Sequence, residues 1–347
     1  MIINSKQFNV VICKREQEFA GTKLFELDIL GRKSIEWLEK LDENCKIVDS
    51  VDVKTLKDSI VLYSDTPLVN QNTLEQSITY MYELGIFNAE LPCGYIITSG
   101  EGECKKIDVC SEDFVRLTDA KSYAKIISVM KDRINERFME NGVFMKDPNS
   151  VYIDDTVTIG RGVIIENNNV LKGNTVISDN VILDVNNELT DTEIGKGTKL
   201  TGVIATQAKV GENTSVGPYA YLRPGACVGS NCKVGDFVEI KNSNIADGTK
   251  VPHLAYVGDA DVGSRVNVGC GVIFANYDGK KKHRTKVGDN TFLGSNTTLI
   301  APVEIGNQVF IAAGSTVAHS IDDNALVIAR ARETIKEGRA EKYLKKD

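Results

Sequence analysis

Over much of the chain, aliphatic residues fall six positions apart. The first run is Ile153, Ile159, Ile165, Leu171, Ile177, Leu183 and Leu189, followed after one five-residue step by Ile194 and Leu200. A second holds Val210, Val216, Leu222, Val228, Val234 and Ile240, and continues with two short steps through Ile245, Val251, Val257, Val262 and Val268. A third runs from Val287 through Leu293, Leu299, Ile305 and Ile311 to Val317. Glycine often follows the aliphatic position. A period of six is neither the 3.6 of an α-helix nor the 2 of a strand. It fits a parallel β-helix in which three hexapeptides close one triangular coil, with the aliphatic side chain inward and small residues at tight corners. The pattern predicts this architecture over residues 148–320, interrupted only by Phe274–Lys286, FANYDGKKKHRTK.

The N-terminal third follows other rules. FNVVIC and SIVLY read as buried strands, while RKSIEWLEKL and QNTLEQSITYMYELG carry helical spacing. This predicts a small α/β domain over residues 1–120. A helical linker over 121–147 follows, from SYAKIISVMKDRINERFMENG. The tail, residues 321–347, is basic and helix-compatible but too polar to build a core.

Apolar content of 42% and charged content of 26% describe an ordinary globular protein, and 347 residues suffice for two cores. A net charge of −7 argues against general nucleic-acid or membrane-surface binding, which need a basic field. No apolar run reaches membrane-span length and the start carries no secretory signal pattern, so a cytoplasmic protein is expected. The eight cysteines form no CxxC pair and only three histidines accompany them, which disfavours a zinc site.

Within the coil, counting predicts neighbours. Residues eighteen apart lie on adjacent coils, about 4.8 Å apart. Arg223 and Lys241 therefore stack on one edge, where two like charges repel unless an anion such as phosphate lies between them. His253 falls one coil after Asp236 and one before Cys270, and Tyr256 falls one coil after Glu239. A histidine beside carboxylates, on the same part of the helix as the cation pair, is a candidate general base. Either Glu239 or Asp236 could orient it. Hexapeptide β-helices often serve acyl transfer, so a phosphate-bearing amine is a reasonable acceptor by analogy.

The stretches YLRPGACVG, VGDFVEIKNS, HLAYVGDADVG, VNVGCGVIFANYDGKKKHRTKVGD, FLGSNTTLIAPVEIG and ALVIARAR closely resemble one family. It is the bacterial bifunctional N-acetylglucosamine-1-phosphate uridyltransferase / glucosamine-1-phosphate acetyltransferase family, which makes UDP-N-acetylglucosamine, and the resemblance runs from about Arg133 to about Arg332. It implies a left-handed β-helix (hexapeptide repeat), preceded here by a small, truncated Rossmann-like α/β domain. It also implies acetyl-CoA as acyl donor and glucosamine 1-phosphate as acceptor. A homotrimer with sites between subunits is implied too. By position, His253 matches the catalytic base, and Arg223, Lys241 and Lys282 match cations on the sugar phosphate. Tyr256, Asn267 and Asn276 match sugar contacts, with Asn276 and Tyr277 also at the acyl end. Ser295, Ala313 and Arg330 match acetyl-CoA contacts. Cys270 stands where the family usually has alanine, adding bulk near the acyl chain. Tyr256 or a backbone N–H near Ser295 could stabilise the oxyanion.

The N-terminal domain departs from the family. It has no glycine-rich nucleotide loop and is about a hundred residues short. Lys23 matches the family's lysine and Asp65 resembles its Mg2+ ligand, but Thr118 stands at the partner asparagine. Uridyl transfer is therefore expected to be lost, and Mg2+ to matter only if it survives. Two alternatives remain: an enzyme still bifunctional through an unusual loop, and a non-catalytic relative that binds a nucleotide sugar.

Overall fold

The structure is a computed structural model that describes residues 1–3, 5–15, 17–99, 102–109 and 111–344. Cys110 and residues 345–347 of the basic arm lie outside the described residues. Two compact units are formed, one of Met1–Arg161 with Ile165–Thr175, the other of Gly162–Ile164 with Val176–Asp347.

In the first unit, six strands make one mixed sheet in the order Lys105–Lys106, Asn88–Leu91, Gly94–Ile97, Ser59–Tyr63, Asn9–Cys13 and Lys46–Val48. Asn9–Cys13 runs parallel to Ser59–Tyr63 and to Lys46–Val48. Alternation along these strands separates two faces: Val10, Ile12, Ile60 and Leu62 pack with Leu74, Ile78 and Met81, while Val11, Cys13, Val61 and Tyr63 form a smaller cluster. The expected helices are Ser34–Glu39, Gln71–Glu83 and Ala120–Glu140. Asn70 caps the second by accepting from Thr73 N–H, and Asp119 caps the third by accepting from Ser122 N–H. The Asn88–Ile97 hairpin carries no periodic signal strong enough to announce it, because both its strands are short and buried.

The second unit is the left-handed β-helix, built as three faces of short parallel strands. Near the middle, the first face is formed by Lys233–Asp236, Lys250–His253 and Asn267–Val268. The second is formed by Glu239–Lys241, Tyr256–Gly258 and Ile273–Ala275, the third by Asn244–Ile245, Ala260–Val262 and Thr285–Val287. The aliphatic series points inward: Leu222, Ile240, Val251, Val257 and Val268 are all at 0% exposure. Corners take left-handed backbone, mostly at asparagine, but Tyr219, Phe237 and Leu254 also adopt positive φ on successive coils. The rings of Tyr219 and Phe237 stack with centroids 5.5 Å apart. Across the interruption, Val262 pairs directly with Val287. The extra residues leave the coil after Ala275 and return at Thr285 without disturbing the ladder. Of the basic tail, Glu341–Leu344 alone is helical among the described residues.

Candidate active site

Register along the first face builds one column of side chains. Asp236 pairs with His253, and the ladder continues through Lys250 with Asn267, Val268 with Leu293, and Leu293 with Ile311. Counting up from these pairs puts Cys270, Ser295 and Ala313 above His253 on the same edge. Arg330 Nη1 closes the column by donating to the Ala313 carbonyl at 2.7 Å. Glycines flank it for lack of space: a Cβ on Gly235 would sit 1.7 Å from the Pro252 carbonyl oxygen, and one on Gly294 would sit 2.4 Å from the Ala313 nitrogen. Among the described residues, nothing accepts from the backbone N–H of Cys270, Ser295 or Ala313. The column is therefore a row of unpaired amide donors with a histidine at its foot.

His253 Nδ1 lies 2.5 Å from Asp236 Oδ1. An ionised carboxylate only accepts, so Nδ1 donates, and in the neutral ring Nε2 is the acceptor. The bond to His253 holds the Asp236 carboxyl below its ordinary value. Of the two carboxylates considered from sequence, Asp236 is the one on His253. Glu239 is committed elsewhere, accepting from Arg223 Nη1 at 2.8 Å.

The cations gather at the other edge of the second face. Arg223 and Lys241 are on adjacent coils as counted, since Leu222 pairs with Ile240. Each is paired with its own carboxylate: Glu239 for Arg223, and Asp259 for Lys241 at 3.5 Å. Asp259 is a hub that sequence reasoning missed. It also accepts from Asn242 Nδ2 at 2.6 Å and Asn276 Nδ2 at 2.5 Å. Although burial opposes its charge, the bonds from Asn242 and Asn276 and the charge of Lys241 hold its pKa low. Asn242 and Asp259 both take positive φ, and nothing in the six-residue spacing marks them. Asn276 Nδ2 also approaches the Tyr256 hydroxyl at 3.4 Å. The Tyr256 ring lies so close over Gly258 that a Cβ there would be 2.4 Å from its oxygen.

Lys282 completes the cluster. It lies beside Lys241, and that close polar contact together with the like charge lowers the Lys282 pKa. The same contact, with the charge of Asp259, raises that of Lys241. The loop carrying Lys282 is ordered by its own residues. Asp278 accepts from the N–H groups of Lys281 and Lys280 at 2.7 Å each and from His283 Nε2 at 2.7 Å, which hold its carboxyl at about 2. Arg284 grips Asp261 through Nε and Nη2, at 2.6 and 2.5 Å, and donates to the carbonyls of Asn242 and Ala260 at 3.0 Å.

Two candidates stand apart from both groups. Asn267 lies on the first face between Lys250 and Phe292. Tyr277 is exposed, its hydroxyl donating to the Gly279 carbonyl at 2.8 Å. Lys23 is exposed in the first unit, and Thr118 binds Ser122 there.

Asp65, which resembles the family's Mg2+ ligand, is fully buried, and its Oδ2 accepts from Arg116 Nε and Nη2 at 3.0 and 2.5 Å. Its Oδ1 has no hydrogen-bond partner. Among the described residues no group of three His, Cys, Asp or Glu side chains could hold a metal. One carboxylate already closed by a guanidinium does not fit a divalent ion, which wants several oxygen ligands and water. No helix of the described residues is long and apolar enough to cross a membrane.

The sequence pattern of the bacterial transferase hexapeptide (six repeats) matches residues 207–242 and 284–319. The bifunctional protein GlmU of Clostridioides difficile is 48% identical over 236 residues, covering 68% of this chain and 51% of that protein. That of Acetivibrio thermocellus is 36% identical over 350 residues, covering 80% and 76% respectively. That of Brevibacillus brevis is 44% identical over 234 residues, covering 67% and 50%. The chain thus spans about half the length of two of these relatives and three quarters of the third.

Proposed function

The chain belongs to the GlmU family of hexapeptide acyltransferases, and on that premise we propose that it transfers the acetyl group of acetyl-CoA to the 2-amino group of glucosamine 1-phosphate. The product would be N-acetylglucosamine 1-phosphate, on the route to UDP-N-acetylglucosamine and the cell envelope. One observation carries the reading: the Asp236–His253 pair stands at the foot of a column of unpaired backbone N–H groups.

His253 Nε2 takes a proton from the sugar ammonium, leaving a neutral amine. The amine attacks the thioester carbonyl, the attacking nitrogen releases its extra proton to water, the C–S bond breaks, and the His253 imidazolium returns its proton to the departing coenzyme A thiolate. A backbone N–H of the column, that of Cys270 being nearest His253 by register, stabilises the oxyanion. Ser295, Ala313 and Arg330 hold the extended arm of acetyl-CoA, with Asn276 and Tyr277 toward its acyl end. Arg223, Lys241 and Lys282 bind the sugar phosphate, which relieves the crowding of two lysine amines. Tyr256, Asn267 and Asn276 contact the sugar. His253 and Tyr256 lie on adjacent faces with the Leu254 corner between them, and Asn267 lies on the first face. A neighbouring copy in a homotrimer would supply the missing wall, in a cytoplasmic enzyme.

Release of free CoA thiol from acetyl-CoA and glucosamine 1-phosphate tests this. His253→Ala should lower kcat by about 10²–10⁴-fold. A wild-type rate no better than that of the variant overturns the reading.

We further propose that uridyl transfer is lost, because Arg116 closes the Asp65 carboxylate. Pyrophosphate release from UTP, Mg2+ and N-acetylglucosamine 1-phosphate should stay at background. Robust release would restore the bifunctional reading.

A further inference from the structure

We propose that the first unit carries a binding site for a small organic anion with an apolar body, in the cavity between helices Ser34–Glu39 and Ala120–Glu140 and the N-terminus of Gln71–Glu83. The cavity measures about 260 Å³. Trp37, Leu41, Val69, Met130 and Ile134 form its apolar lining, and Lys40, Arg133 and Arg137 its charged rim. The long helix contributes Met130, Arg133, Ile134 and Arg137, the spacing of a single helical face.

The rim is over-supplied with positive charge. Asp155, whose side chain is only 2% exposed, accepts from Arg32 Nε at 2.5 Å and from Lys40 Nζ and Arg137 Nη1 at 2.7 Å each. Burial works against its charge, yet those three bonds hold its carboxyl at about 2, so it contributes one negative charge throughout the physiological range. Arg133 is paired with Asp113 and also donates to the Leu68 carbonyl at 2.7 Å. Three lining cations, Lys40, Arg133 and Arg137, thus meet one lining carboxylate, Asp155, with Arg32 and Asp113 paired behind them, in a chain whose net charge is −7. An anion is what such a rim attracts, and apolar walls favour a ligand with a hydrocarbon body. The space is sufficient: an engineered apolar cavity of about 150 Å³ holds benzene. None of these residues takes part in the acyl transfer proposed above, so the two readings stand or fall separately.

A clamp on Asp155 alone would also gather cations, but it would leave the cavity indifferent to solutes. The chain's single tryptophan, Trp37, lines the cavity and reports its occupancy. Full-length protein would be titrated with benzoate and phenyl phosphate, and with benzyl alcohol and benzylamine as neutral and cationic counterparts. The expected result is a saturable change in Trp37 fluorescence, at millimolar Kd or tighter, for at least one anion. The two anions distinguish a carboxylate ligand from a phosphate ligand. Affinity should fall at least about tenfold in Arg137→Gln, which removes a rim cation, and in Ile134→Phe, which fills the space. Absence of saturable change, an equal response to benzyl alcohol or benzylamine, or an unmoved curve in both folded variants overturns the proposal. Should a variant fail to fold, the comparison of charged and neutral ligands on the wild type decides.

Discussion

Arg284 spends its guanidinium on Asp261 and two backbone carbonyls, so it does not compete for a substrate's phosphate. Its effect on substrate would pass through Lys282, which it helps hold against Lys241. Arg284→Ala should raise KM for glucosamine 1-phosphate about tenfold while leaving KM for acetyl-CoA and the melting temperature little changed. Added to Lys282→Ala, it should cost nearly nothing more, because residues acting through one contact are not additive. Full additivity in that double-mutant cycle would show that Arg284 acts independently. The basic loop singled out in the sequence is therefore divided by role. Asp278, His283 and Arg284 shape it, Lys282 presents its charge, and Lys280 and Lys281 remain exposed.

At the level of elements, legibility depended on how neighbours are chosen. In the β-helix they follow from counting, which is why spacing alone puts His253 between Asp236 and Cys270, and Arg223 beside Lys241. Counting cannot say which of two nearby carboxylates a side chain reaches, and so Glu239 was left open although Arg223 takes it. In the α/β unit, neighbours are set by tertiary packing across long chain separations. Arg116 on Asp65, and Asp155 with its three cations, are pairings of that kind, and nothing in local spacing signals them. The Asp155 cluster joins helix Ala120–Glu140, the Lys40 turn after Ser34–Glu39 and the first coil within one unit. Because its folded pKa is depressed to about 2, its contribution is present above the ordinary carboxylate range and is lost as pH falls from about 4 toward 2. That shift corresponds to about 2 kcal/mol. Asp155→Asn should therefore flatten the pH dependence of urea unfolding across that window. An unchanged slope there would mean the ion pairs do not hold the unit together.

For the whole molecule, the decisive measurement is the state of assembly. Tyr219, Phe237 and Leu254 form an exposed ridge, 61%, 58% and 57% accessible, immediately beside Asp236 and His253. Non-glycine residues in left-handed backbone cost on the order of 1 kcal/mol each, and three bulky apolar ones left facing water would add to that cost. A neighbouring copy covering the ridge would offset both, in keeping with the proposed homotrimer. Phe237→Asp should shift sedimentation from trimer to monomer and abolish acetyl transfer together. Wild-type protein that sediments as a monomer, yet transfers acetyl groups, would remove the trimer from the mechanism.

The direct pairing of Val262 with Val287 bears on mechanics as well as on chemistry. Tension along the coil axis passes from rung to rung through that contact, and the loop between Ala275 and Thr285 carries none of it. Its length is free to change while the stack above and below stays in place. The protein thus keeps its substrate-facing loop outside the axial ladder and the ladder itself continuous, so the grip on a substrate can be recut without rebuilding the column that supports it.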